Sequence, residues 1–86
     1  MNWDTQQFKK KLEANHDFPC IYMFKFIVPL NKKEALINLL PKVAVKIKTS
    51  SSNKFASVTL NVKMESSNKV IEIYNRAYQI EGIIAI

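Results

Sequence analysis

From Phe55 to Met64 the chain alternates without a break. Ala56, Val58, Leu60, Val62 and Met64 occupy one parity, and Phe55, Ser57, Thr59, Asn61 and Lys63 the other. Successive side chains of a strand point to opposite faces, so this segment is a strand with one face for burial and one for water. Such a strand needs neighbours in a sheet and a covering layer on one side.

The same period recurs in three shorter segments. Between Cys20 and Val28, Tyr22, Phe24, Phe26 and Val28 point one way while Ile21, Met23, Lys25 and Ile27 point the other. Val45 and Ile47 alternate with Lys46 and Lys48, and Ser50-Ser51-Ser52-Asn53 then reads as a hairpin connection to the strand at Phe55. Ile83-Ile84-Ala85-Ile86 forms a last short strand without a polar side chain.

Helical spacing fills the gaps. Asn31 and Glu34 make a capping box before a stripe of Leu36, Leu39 and Leu40, which Pro41 terminates or kinks. Ser66-Ser67-Asn68 starts a second helix with an apolar stripe of Val70, Ile73, Tyr74, Ala77 and Ile80, and Gly82 falls where a left-handed cap is wanted. Residues 3–16 read as a helix of their own: Asp4 is the N-cap, Gln7 completes a capping box, Trp3 meets Phe8 as a staple, and Leu12 shares the face of Phe8. Pro19 ends the segment, because the residue before a proline is driven out of helical geometry.

Strand, helix, strand, strand, helix, strand, with right-handed crossovers, is the split arrangement known as ferredoxin-like. The expected fold is therefore α+β, a βαββαβ sandwich with a four-stranded antiparallel sheet and two helices on one face. Its usual spatial order is fourth, first, third, second strand. Residues 1–17 form a helical extension and residues 18–86 the domain.

Composition narrows the functional menu. A chain of 86 residues with 48% apolar and 23% charged side chains makes one small folded domain. No uninterrupted apolar run, that around Pro19–Phe24 included, is long enough to span a membrane, and the pattern Met1-Asn2-Trp3-Asp4 gives no expectation of an export signal. A single cysteine, Cys20, forms no internal disulfide and fits a reducing cytosol. The net charge of +6 points toward an anionic partner or to an ordinary basic surface.

No constellation for catalysis is present, and no metal or cofactor is expected. His16 lacks a second group to complete a general-base arrangement, Cys20 reads as a small half-buried residue, and Glu65, Glu72 and Glu81 are isolated. One glycine cannot build a phosphate-cradling loop.

The open sheet face is what remains. Its second and third strands present Lys46, Lys48, Ser57, Thr59, Asn61 and Lys63, with Lys25 beside them as part of a basic panel for an anion or partner. Its other half presents Ile21, Met23, Ile27 and one parity of the terminal isoleucines, an apolar surface that calls for a cover. The N-terminal helix, through Trp3, Phe8 and Leu12, is the expected lid; a second copy of the chain is the alternative.

Phe18-Pro19 before the first strand, Phe24-Lys25-Phe26, the run Lys48-Thr49-Ser50-Ser51-Ser52 followed by Phe55-Ala56-Ser57-Val58-Thr59, and the ending Gly82-Ile83-Ile84 resemble the YbeD-like proteins. These are small bacterial cytosolic proteins catalogued mainly as a domain of unknown function, some labelled lipoate regulatory. The resemblance covers residues 18–86 and implies a fold similar to the ACT regulatory domains, which bind small effectors at domain interfaces. Where an ACT site usually has a glycine-containing turn, this chain has Val28-Pro29-Leu30-Asn31, and proline removes an N–H donor. Two readings follow: a regulatory or interaction module that dimerises, docks a protein or binds a small anionic metabolite, or a nucleic-acid binder using the sheet. The second has lysines for phosphates but no aromatic in mid-strand on which a base would stack.

Overall fold

The computed structural model describes residues 4–86, so the expected Trp3 staple and Trp3's place in a lid lie outside the described residues. In chain order the elements are α1 (Thr5–Asn15), β1 (Cys20–Pro29), α2 (Lys33–Leu39), β2 (Val45–Thr49), β3 (Phe55–Met64), α3 (Ser67–Ala77) and β4 (Ile84–Ala85). The strands form one antiparallel sheet in the order β2-β3-β1-β4.

β1 and β3 pair along their whole length, from Cys20 opposite Met64 to Pro29 opposite Phe55. That register sets even residues against even, so Phe24 faces Leu60, Phe26 faces Val58 and Val28 faces Ala56 on one side. All six are fully buried and form one core with Leu36, Val70, Ala77 and Tyr74 from the helices. Ser66 caps α3 by accepting from the Lys69 N–H at 3.3 Å. Between α3 and β4, Gly82 takes φ +82°, where a Cβ would stand 3.0 Å from Pro29 Cγ.

α1 corrects the lid expectation. Its Asp4 carboxylate accepts from the Gln7 N–H at 3.0 Å, as the capping pattern requires. Its apolar side, however, joins the helix layer: Leu12 is 3% exposed within the core, and the Phe8 ring meets Tyr74 edge-on at 5.2 Å. Glu13 accepts a 2.6 Å hydrogen bond from the Ser67 hydroxyl at the start of α3, where unpaired N–H groups favour a negative charge. The physical reason is chemical fit. The helix side offers Phe8 and Leu12 an aromatic cluster, and Glu13 a helix N-terminus; the open face offers only scattered aliphatic tips. Ile21 and Met23 accordingly stay 65% and 57% exposed, uncovered by Phe8 or Leu12.

Smaller differences have local causes. Pro29 ends β1, and a 3-10 turn at Leu30–Lys32 absorbs Asn31, so α2 begins at Lys33 with no side-chain cap. α2 is only seven residues long, and Ile47 on the edge strand is 40% exposed although its partner Val58 is buried. Ile80 lies beyond the end of α3.

Candidate functional site

The odd-numbered residues of β1 and β3 face away from the helices. Their register with β2 and β4 arranges the surface in rows across the strands. One row runs Lys48, Ser57, Ile27, Ile84, and the next runs Lys46, Thr59, Lys25. The Ile86 N–H donates to the Lys25 carbonyl at 2.9 Å, which extends that second row. Then come Asn61 beside Met23, and Lys63 beside Ile21.

The face is thus divided lengthwise. β2 and β3 carry Lys46, Lys48, Lys63 and the polar residues Ser57, Thr59 and Asn61; β1 and β4 carry Ile21, Met23, Ile27 and Ile84, with Ile86 just past β4 and Lys25 at the seam. Ile84 and Ile86 are 56% and 68% exposed. Which terminal isoleucines face outward is a matter of β4's pairing register, and sequence alone left both parities open. Among the described residues, none of the four face lysines makes an ion pair. No strand position on this face holds a carboxylate, and Glu65 lies just past the end of β3.

Two shallow depressions, both open to solvent, mark the face. One, of about 230 Å³, lies beside the hairpin among Ile27, Lys48, Ser50, Phe55 and Ser57. Phe55 is 43% exposed there and was not singled out by the sequence pattern as a site residue. The hairpin that frames it is well tied: the Ser50 N–H donates to the Phe55 carbonyl at 2.8 Å, the Phe55 N–H to the Ser50 hydroxyl at 3.2 Å, and Asn53 takes φ 57°. The second, of about 550 Å³, is lined by Met23, Ala44, Lys46, Thr59 and Asn61.

The residues of classical chemistry lie apart from this face. His16 packs against the rings of Phe18 and Tyr22, with centroids 6.0 and 5.2 Å away, and Cys20 is a half-buried free thiol. Tyr74, on the helix side, shares a 3.1 Å hydroxyl contact with Tyr22; burial first, and that hydrogen bond second, push its phenol above the ordinary range. Among the described residues, no three His, Cys, Asp or Glu side chains are grouped so as to hold a metal ion.

A family model described as protein of unknown function (DUF493) matches residues 13–86. The chain belongs to this family. The DUF493 match takes in every strand and begins inside α1, at Glu13, the residue that reaches Ser67. No curated protein and no solved structure matches the chain. Among the described residues, no helix is long and apolar enough to cross a membrane.

Proposed function

We propose that this DUF493 protein is a non-catalytic interaction module, ferredoxin-like and similar in build to the ACT domains and the YbeD-like proteins, acting in the cytoplasm through its open sheet face. One observation carries the reading. The side of the sheet without helices combines lysines that make no ion pair among the described residues with isoleucine and methionine side chains more than half exposed. A sheet face that only met water would alternate to polar residues there. Strands of ten, five, ten and two residues at ~3.3 Å per residue, spaced ~4.8 Å apart, give a face of roughly 430 Å², about half of what one partner contributes to a standard stable complex and the size of a transient docking site. Covering Ile21, Met23 and Ile84 would favour a complex by roughly 3–6 kcal/mol before ordering costs.

A photoreactive residue placed at Met23, Thr59 or Ile84, and at Asn75 on α3 as the control, tests the surface in cells that produce the chain. Adducts are expected from the three sheet positions and not from Asn75. Equal labelling everywhere, or none from the sheet, would remove the reading. The depression beside Lys46, Thr59 and Asn61 favours a second occupant, a small anionic metabolite. At about a hundred times its dissociation constant such a ligand stabilises the fold by ~2.7 kcal/mol, a rise of roughly 10 °C or more in Tm. A flat thermal-shift screen across amino acids, lipoate and phosphorylated metabolites would exclude it.

A further inference from the structure

We infer that the partner of this face is an acidic, amphipathic protein segment, lying along the strands with its apolar ridge on β1 and β4 and its carboxylates over the lysines of β2 and β3. The inference rests on the interaction-module reading and adds the chemistry of the partner to it.

Charge decides among the occupants. Lys25, Lys46, Lys48 and Lys63 supply all the charge on the strand positions of this face, and among the described residues none is neutralised by an ion pair. A second copy laid face to face either stacks the two lysine panels, where like charges repel, or sets each panel on the other copy's apolar half, where no carboxylate meets it. A nucleic acid would satisfy the lysines but leave Ile21, Met23 and Ile84 against phosphate or sugar, with Phe55 at the rim as the face's aromatic side chain. An acidic segment with apolar anchors satisfies both halves at once.

Geometry agrees. β1 and β2 are separated by two strand spacings, about 10 Å, which is the width of an α-helix with its side chains. Ile21 to Ile27 spans about 20 Å along β1, the length of about 14 helical residues. One amphipathic segment of that size can therefore rest on the apolar half and reach the basic half with its flank.

The test is selection of displayed random peptides of about 14 residues on the full chain. Enriched sequences are expected to place Asp or Glu beside Leu, Ile or Phe. Their affinity should fall about tenfold or more on Lys46→Glu with Lys48→Glu, fall similarly on Met23→Thr with Ile84→Thr, and weaken as salt rises. All four positions are exposed, so thermal melts verify that the variants remain folded. Enrichment of neutral or basic peptides that still lose binding on Met23→Thr with Ile84→Thr would overturn the acidic partner while leaving the face as a docking site. No enrichment, or peptides indifferent to every face substitution, would remove both. Self-association already present at about 0.1 M salt, where the lysines should keep copies apart, and abolished by Met23→Thr would assign the face to a second copy. Binding of oligodeoxythymidylate with a log–log salt slope near about −3 would assign it to nucleic acid. Either result overturns the proposal.

Discussion

Tyr74 is the residue on which the helix side converges. It touches the rings of Phe8, Phe24, Phe26 and Tyr78, and its hydroxyl meets that of Tyr22. Burial, reinforced by the Tyr22 hydroxyl, holds its phenol protonated well beyond the usual range. In the unfolded chain the same group ionises near pH ~10, so above that pH the unfolded state has lost a proton that the folded state keeps. Stability from this group is therefore complete below about pH 10 and declines as pH rises further. Tyr74→Phe removes the titration along with one hydroxyl contact. Urea unfolding from about pH 8 to about pH 11 should show the wild type losing stability more steeply than the variant; parallel profiles would mean that Tyr74 does not report on folding.

At the scale of elements, α1 is the instructive case. Phe8 and Leu12 announce an apolar helix face in the sequence, but the partner of that face depends on the third dimension. The sequence pattern assigns it to the open apolar half of the sheet, as a lid over Ile21, Met23 and Ile27. What decides is the aromatic cluster around Tyr74 and the pairing of Glu13 with the start of α3, contacts between residues 54 or more positions apart that no local pattern reveals. Leu12→Ala should therefore cost about 2–5 kcal/mol, measured by urea denaturation, because the side chain is enclosed and not a removable cover. A loss under about 0.5 kcal/mol, the usual effect of a surface change, would return α1 to the status of a loose extension. The strands, by contrast, were readable residue by residue. Period-two alternation in Phe55–Met64 and Cys20–Pro29 carries its own assignment of faces, and burial follows that parity along both strands. The short elements were less legible. The 3-10 turn before α2 overrides the Asn31 capping pattern because Pro29 fixes the path of the chain just before it, and β4 pairs through two residues whose parity needs a partner strand to define it.

At the scale of the whole molecule, the two sides of the sheet have opposite relations to stability. Side chains on the helix side hold the fold, while Met23 and Ile84 on the other side gain little from folding because they stay more than half exposed. Met23→Thr with Ile84→Thr should leave unfolding stability within about 0.5 kcal/mol of the wild type, the usual range for surface changes. Their effect belongs to association instead. In dilute buffer the four face lysines keep copies apart, since unscreened charges act over ~10 Å at about 0.1 M salt and only ~3 Å at about 1 M. Raising the salt removes that protection and leaves the apolar half free to find itself. Light scattering of the wild type is therefore expected to rise with ionic strength, and that of the double variant to stay flat. A stability loss of several kcal/mol in the variant, with a wild-type Tm that depends on concentration, would instead mean that Met23 and Ile84 are already covered by a second chain at working concentration. The sign of the salt effect separates the two cases: charge-guarded monomers associate more as salt rises, whereas a dimer joined by salt bridges to these lysines dissociates.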